Sequence, residues 1–215
     1  ITSIIKKASS ILEQWTGNPS LDEYQSRNPD RVRKQMAALY NAILQQEITY
    51  SSVPASFEEY GQRVRLTDVV TSQKIGTCLD MALLYASCLE AIGIHPLVIF
   101  TRGHAFAGGW LVPETFPDSI TDDVSFLTKR TADGINEITL VEATCMNQGS
   151  EVDFDQAVNI ANNQMQTNNF ILALDVKRAR FAGIRPLPQR VLNGQHWEIT
   201  EEPVPVQDKL QPMPE

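Results

Sequence analysis

One cysteine, one histidine and one glutamate occur in the order expected of a thiol nucleophile, its base and the acid that orients the base. Cys78 follows Gly76 and Thr77 and opens a long apolar stretch. His104 stands in the segment Gly-His-Ala-Phe, and Glu142 stands in Val-Glu-Ala-Thr. A thiolate can attack a carbonyl carbon, an imidazole can move the proton, and a carboxylate can fix the imidazole tautomer. The three residues therefore predict nucleophilic thiol chemistry.

The position of Cys78 at the start of a helix favours this chemistry. Thr77 can serve as the N-cap, and Asp80 stands where the carboxylate of a capping box stands. A sulfur at the first helical position lies beside unpaired N–H groups and the positive end of the helix dipole. That environment favours the thiolate, which is the nucleophile. The backbone N–H of Cys78 is expected to stabilise an oxyanion in the same space.

The elements that must position these residues indicate an α+β fold. Residues 79–92 are apolar on nearly all sides, which predicts a central, buried helix that ends at Gly93. Segments rich in aliphatic and β-branched residues predict strands on both sides of His104 and around Glu142. The predicted strands cover residues 95–101, 105–112, 137–143 and 170–176, and the other predicted helices cover 3–15, 30–46, 153–167 and 177–181. Residues 48–54 are expected to be extended, and 57–69 to include a short helix.

An insertion is predicted between two of the strands. Residues 113–134 are rich in turn-forming and acidic residues and interrupt the segments that read as neighbouring strands. Long connections of this kind often carry function. We therefore expect this insertion to lie over the site as a flap.

Length and composition fit one domain with its own core. The chain has 215 residues, 42% of them hydrophobic. We expect a single domain over residues 1–200, with a helical part over about 1–47 and a catalytic core over about 48–190. A polar, Pro-rich tail follows over residues 201–215. The chain starts with Ile and ends in this tail, which suggests a piece of a larger protein.

Charge and cysteine content exclude several classes of function. The net charge of −8 argues against direct nucleic-acid binding by this segment. The sequence contains no phosphate-binding loop, so we do not expect ATP hydrolysis. Cys78 and Cys88 lie about 15 Å apart along a helix and cannot share one ion. The sequence lacks the spacing of cysteine and histidine ligands that is typical of metal sites, so we expect no metal and no cofactor. Three cysteines suggest a reducing, cytoplasmic setting, and no long apolar stretch predicts a membrane span.

The motifs together resemble a known superfamily. The order Gly-Thr-Cys, Gly-His-Ala-Phe and Glu-Ala-Thr is similar to the transglutaminase-like superfamily of papain-like folds. Residues 50–61, 64–66, 76–89, 103–111 and 174–188 look like the transglutaminase-like domain of large bacterial helicase-fused proteins. The resemblance implies a papain/transglutaminase-like core, in which the Cys78 helix packs on an antiparallel sheet beside N-terminal helices. Glu142 departs from the pattern, because the superfamily has Asp at this place.

The resemblance also implies roles and partners. Cys78, His104 and Glu142 match the nucleophile, the base and the orienting acid, and the substrate would be a protein or peptide. Papain-like enzymes carry an oxyanion-hole glutamine upstream of the nucleophile, which makes Gln73 the candidate and Gln62 its alternative. A solvated loop glutamine is the competing interpretation. Helicase and nuclease domains would be covalently linked in the full-length protein.

The leading prediction is a thiol-dependent amide-bond hydrolase, a cysteine protease-like domain that uses Cys78, His104 and Glu142. Acyl transfer of the transglutaminase type shares the first half-reaction and is an alternative. A catalytically idle scaffold, or a peptide-binding module that regulates an attached helicase, is an alternative of a different class. A deglycosylating amidase of the same superfamily is a further one.

Overall fold

The structure is a computed structural model that describes residues 1–52, 64–165, 169–186, 189–193 and 196–200. The chain divides into two compact units, Ile1–Ala182 and Gly183–Glu215, whereas the sequence predicts a boundary near residue 200. In chain order the first unit contains α1 (Thr2–Thr16), α2 (Pro29–Leu44), β1 (Thr49–Tyr50), α3 (Thr67–Gln73), β2 (Ile75–Gly76), α4 (Cys78–Ala91), β3 (Pro96–Thr101), β4 (His104–Trp110), β5 (Ile120–Thr121), α5 (Ser125–Thr128), β6 (Ile138–Val141), a 3-10 helix (Ala143–Met146), α6 (Phe154–Met165), β7 (Phe170–Asp175) and α7 (Val176–Phe181).

An antiparallel five-stranded sheet forms the centre of the first unit. Its strand order is β5-β7-β3-β4-β6, and every neighbouring pair runs antiparallel. β3 and β4 form a hairpin in which Thr101 pairs with His104, and Gly103 takes a φ of 74° at the turn. β6 runs back along β4 and ends at Val141. His104 and Glu142 therefore emerge at the same end of the sheet.

The helix that begins with Cys78 is buried, as the sequence predicts. α4 packs against β3 and β4 on one side and against α2 and α3 on others. Gly93 follows its end with a φ of 83°, a conformation that costs glycine little. α4 carries apolar residues on nearly all of its sides, because other helices and strands cover almost its whole circumference. Its buried residues are Asp80, Met81, Ala82, Leu84, Tyr85, Ala86, Cys88 and Leu89.

Two hydrophobic clusters occupy the two faces of the sheet. The first joins α1, α2 and α4 and includes Ala107 and Val141 from the strands. The second contains Phe106, Trp110 and Leu140 together with residues of α6 and of the 113–134 segment. Strand residues alternate between the clusters because successive side chains point to opposite faces. The sheet is thus covered on both sides, which holds β4 and β6 in register.

The insertion after β4 packs on the sheet, and the predicted flap is not what the structure shows. β5 lies within it and pairs with β7 at the sheet edge. Phe116 is buried in the second cluster, and its N–H donates to Asp175 Oδ2 over 2.9 Å. The same oxygen accepts from the indole of Trp110 at 3.0 Å. Trp110 is the last residue of β4 and His104 the first, so the insertion is anchored at the sheet end away from His104.

The fold class predicted from the sequence is confirmed at the level of an α+β architecture with an antiparallel sheet and N-terminal helices. The second unit contains a hairpin of β8 (Gln189–Asn193) and β9 (His196–Thr200), which the sequence analysis missed. Among the described residues, no helix is both long and apolar enough to cross a bilayer.

Candidate active site

The start of α4 is fixed by a buried capping box. Thr77 Oγ1 accepts from the Asp80 N–H at 3.3 Å, and Asp80 Oδ2 accepts from the Thr77 N–H at 3.0 Å. Arg65 adds its backbone N–H at 2.8 Å and its Nη1 at 2.9 Å to the same carboxylate. Asp80 is only 1% exposed. The predicted cap is confirmed, and it holds Cys78 at the first position of the helix.

A short parallel strand pair fixes the chain just before Cys78. Thr49 donates its N–H to the Lys74 carbonyl and Ser51 donates to the Gly76 carbonyl, both over 2.8 Å. Tyr50 pairs with Gly76. A side chain on Gly76 would approach the sulfur of Met81 to 3.2 Å, so glycine allows the chain to pass close to α4.

His104 lies between the thiol and Glu142. Its Nε2 is 2.9 Å from Glu142 Oε2. The His104 side chain also lies close enough to the Cys78 thiol to shift its pKa. Because Glu142 occupies Nε2, the thiol must use Nδ1. The ring stacks on Phe106 with centroids 6.1 Å apart, which limits its rotation. The structure therefore brings the three predicted residues together in one chain of contacts.

Glu142 accepts hydrogen bonds from several donors in addition to its histidine partner. Strand β6 ends before it, so Glu142 acts as the N-cap of the 3-10 helix rather than as the predicted strand residue. Its Oε1 accepts from the Thr144 N–H at 3.0 Å and from Thr144 Oγ1 at 2.7 Å. Gln164 of α6 donates from Nε2 to Oε2 at 2.6 Å. The carboxylate is 2% exposed and has a fixed orientation toward His104.

The surroundings of Cys78 favour its thiolate. Burial by itself raises the pKa of the thiol. The His104 side chain, the backbone N–H groups of Ala105 and Leu79, and the charge of the ring outweigh burial, so the pKa lies below its ordinary value of 9.0. A lowered pKa is the condition for a reactive cysteine.

The pKa of His104 shifts in the complementary direction. Hydrogen bonds to Cys78 and then to Glu142 raise it from 6.5 to about 10, against the opposing effect of burial. Burial raises the pKa of Glu142, but the hydrogen bond and charge of His104 and the donors of Thr144 bring it below 4.5. These shifts favour a thiolate, an imidazolium and a carboxylate in a row.

Tyr50 lies near this site and was missed by the sequence analysis. Its side chain is 39% exposed. Burial, and then the negative charges of Cys78 and Glu142, raise the pKa of the phenol. No local motif marks this tyrosine, because only the pairing of β1 with β2 brings it beside Gly76. The phenol stays protonated near neutral pH and can therefore donate a hydrogen bond.

Of the two oxyanion candidates, the one that the structure describes is not among the groups that interact with the thiol. Gln73 is exposed and is the last residue of α3, where Lys74 turns the chain with a φ of 55°. Gln62 lies outside the described residues. The interactions of Cys78 involve His104, Ala105 and Leu79 rather than Gln73.

The other histidines and cysteines have separate surroundings. His95 Nδ1 lies 2.7 Å from the Glu114 carbonyl oxygen, and the backbone N–H of His95 donates to the Tyr24 hydroxyl at 2.8 Å. Burial raises the pKa of Cys88 to about 12 and that of Cys145 to about 11. The side chain of His196 is outside the described part of the chain. No group of three or more metal-ligating side chains occurs among the described residues.

An open cleft of about 510 Å³ adjoins the His104–Glu142 pair. It lies between the β3–β4 hairpin, the 3-10 helix and α6. The lining residues are Thr101, Arg102, His104, Glu142, Thr144, Cys145, Ile160, Gln164 and Asn169. Residues of the 113–134 insertion are not among them. The cleft reaches the site from the side of the imidazole and carboxylate, because Cys78 is not part of its lining.

Comparison with known proteins identifies no relative, so the function is inferred from the geometry of the site. No protein-family model, no curated protein and no solved structure matches the chain.

Proposed function

We propose that this chain is a thiol-dependent amide-bond hydrolase, a cysteine protease-like domain with a papain/transglutaminase-like core. The observation that carries the proposal is the contact chain from the Cys78 thiol through His104 to Glu142. The lowered pKa of Cys78 and the raised pKa of His104 support a resting ion pair. The placement of Cys78 at the first turn of a buried helix, packed on an antiparallel sheet, supports the superfamily assignment.

Acylation begins with the thiolate of Cys78. A sulfur lone pair attacks the amide carbon, and the carbonyl π electrons move to the oxygen. The Cys78 N–H, which as a first-turn group has no intrahelical acceptor, is directed at this region of developing charge. The imidazolium of His104 donates its Nδ1 proton to the departing nitrogen as the C–N bond breaks. A thioester and a free amine result.

Deacylation uses the same groups in reverse. The neutral ring of His104 takes a proton from water, whose oxygen attacks the thioester carbon. The C–S bond breaks, the acid leaves, and the ion pair forms again. Glu142 keeps Nε2 protonated throughout, so Nδ1 is always the nitrogen that exchanges the proton.

Acyl transfer to an amine remains the alternative reaction, because it differs only in which nucleophile reaches the thioester. The amidase alternative differs only in its substrate. An idle scaffold or a peptide-binding regulator of a helicase is disfavoured by one observation. Gln164 and Thr144 together give the Glu142 carboxylate three hydrogen bonds besides that of His104, and these bonds hold the carboxylate toward the imidazole, as a catalytic triad requires. The cytoplasmic setting rests on the cysteine content, and the linked helicase and nuclease domains rest on the resemblance of the motifs.

Alkylation across a pH series tests the enzyme proposal. Iodoacetamide should modify Cys78 selectively near neutral pH, with Cys88 and Cys145 as internal controls whose pKa values are raised. Peptide mass spectrometry locates the adduct. His104→Ala should abolish the selectivity. A Cys78 rate no higher than in the urea-unfolded chain would contradict the proposal.

A further inference from the structure

The cleft beside His104 has the composition of a binding site for part of a substrate. Hydroxyl groups come from Thr101 and Thr144, and carboxamides come from Gln164 and Asn169. Ile160 adds an apolar side chain that is 38% exposed. This mixture of a few polar groups with apolar surface is typical of sites that orient a ligand.

Besides the His104 ring, Arg102 is the one cation of this lining. It lies at the exposed turn between β3 and β4, and its backbone N–H donates to the Asn169 carbonyl over 2.9 Å. No carboxylate among the described residues pairs with its guanidinium. Glu142 is the one anion of the lining, and His104, Thr144 and Gln164 already engage its oxygens. The cleft therefore offers a free positive charge to a ligand.

The chemistry of the proposed reaction decides which part of the substrate enters this cleft. His104 gives its proton to the departing nitrogen, so the leaving group must lie against the imidazole. The cleft has His104 in its wall and does not have Cys78. The acyl carbon and the departing nitrogen both lie at the Nδ1 edge beside the sulfur, so the residue that carries the departing nitrogen is the part of the substrate that can extend past the ring into the cleft.

We propose that this cleft is the leaving-group subsite and that Arg102 selects an acidic side chain in the residue that follows the scissile amide. The proposal rests on the proposed function. Guanidinium and carboxylate form paired hydrogen bonds that a lysine or a neutral side chain cannot form with Arg102. The substrate class is thus a peptide amide whose released amine belongs to an acidic residue.

Capture of the acyl-enzyme by added amines tests the subsite directly, because an incoming amine occupies the place that a leaving amine vacates. p-Nitrophenyl acetate acylates Cys78, and the leaving nitrophenolate takes the Nδ1 proton of His104 and departs as nitrophenol, which leaves the ring neutral. The amine nitrogen then attacks the thioester carbon, the C–S bond breaks, and the amine proton passes to His104. The measured quantity is the ratio of acetylated amine to acetate for glutamic acid amide, glutamine amide and lysine amide.

Glutamic acid amide should be captured roughly fivefold better than glutamine amide, the scale of an exposed ion pair. Arg102→Gln should reduce this preference to about onefold. Arg102→Glu should shift the preference to lysine amide. Arg27→Gln, at another exposed turn arginine, is the matched control and should retain the preference. Equal capture of the three amines, or a preference that survives Arg102→Gln, would overturn the proposal.

A binding measurement separates failure of the subsite from failure of the enzyme proposal. Glutamic acid amide is titrated into the Cys78→Ala variant, and backbone amide shifts are followed by NMR. Shifts at Arg102 and Thr144 that disappear in Arg102→Gln support the subsite even if no acyl-enzyme forms. Acylation of Cys78 without such shifts would support the enzyme proposal and contradict the proposal of an acidic subsite.

Discussion

The His104 imidazole and the Glu142 carboxylate, 38 residues apart in the chain, are joined by a hydrogen bond of 2.9 Å between Nε2 and Oε2. Glutamate is one methylene longer than the aspartate of the motif that the sequence resembles. β6 ends at Val141, and Glu142 stands at the cap of the 3-10 helix. The carboxylate then bonds to Thr144 and Gln164 as well as to the ring.

Glu142→Gln should slow alkylation of Cys78. The substitution removes the charge that helps to keep His104 protonated, so the pKa of the ring falls and that of the thiol rises. A hydrogen bond to a charged group contributes about 1.5–3 kcal/mol, so the rate near pH 7 should fall roughly tenfold or more. The pH dependence of iodoacetamide modification measures this. Glu151→Gln, at an exposed glutamate, is the control and should follow the wild-type curve.

Gln164→Leu should disturb the site without touching Cys78 or His104. Its amide donates over 2.6 Å to the same oxygen of Glu142 that accepts from His104. Loss of this donor should shift the alkylation profile toward higher pH and lower the free energy of unfolding by about 1–3 kcal/mol. Asn163→Leu, at the exposed neighbouring position of α6, is the matched control. An unchanged alkylation profile for Gln164→Leu would show that the amide does not position Glu142.

Asp80→Asn should be strongly destabilising although Asp80 is not a reacting group. The buried carboxylate accepts from the backbone N–H groups of Thr77 and Arg65 and pairs with the Arg65 guanidinium. Removing one partner of such a pair costs about 3 kcal/mol. Urea unfolding monitored by circular dichroism measures the loss. Asp118→Asn, at an exposed aspartate, should change the midpoint little; an equally small effect at Asp80 would contradict the importance of the cap.

Two adjacent glycines of β4 should differ in their tolerance of alanine. A methyl group on Gly108 would come within 2.8 Å of the Thr139 carbonyl oxygen, which the β6 backbone fixes. A methyl group on Gly109 would meet the Met36 methyl at 3.0 Å, and that flexible side chain can move. We expect Gly108→Ala to cost about 1–3 kcal/mol and Gly109→Ala less. Chemical denaturation of the two variants should give this order.

The contribution of the Cys78–His104 pair to the free energy of unfolding should be nearly constant over a range of pH. Because the pKa of His104 is raised from 6.5 to about 10, its contribution is complete below pH 6.5 and is lost as pH rises toward 10. The lowered pKa of Cys78 acts in the opposite sense: its contribution is complete above pH 9.0 and is lost as pH falls. Between pH 6.5 and 9.0 the two contributions change in opposite directions with pH, so they offset each other.

Urea unfolding of the wild type and of the Cys78→Ser, His104→Gln double variant measures this plateau. The difference between them should be flat between pH 6.5 and 9.0 and should decline above 9.0. A difference that declines steadily from pH 6.5 would mean that His104 is protonated without a thiolate partner.

Local sequence determined much of the fold around the nucleophile. The spacing of Thr77 and Asp80 identified the capping box, and Gly93 marked the end of the helix. The two-residue turn at Arg102 and Gly103 indicated the hairpin that presents His104. These features could be predicted because each depends on residues a few positions apart.

Long-range pairing determined the features that the sequence did not reveal. Tyr50 reaches the site through a strand of only two residues, and Gln164 reaches Glu142 from a helix 22 residues away in the chain. The placement of the 113–134 insertion depends on Asp175, which no local pattern connects with Phe116. Side chains brought together by tertiary contacts leave no periodic signal in one sequence.

The anchoring of the insertion has a practical consequence for measurement. The exposed residues 132–136 stand near the Trp110 end of β4, and β4 places that end about 20 Å from His104. A side chain added at Gly134 would meet no other atom within 4 Å. A short fluorescent or affinity peptide inserted between Asp133 and Gly134 would thus provide a handle for single-molecule or immobilised assays, far enough from the thiol to leave its reactivity unchanged.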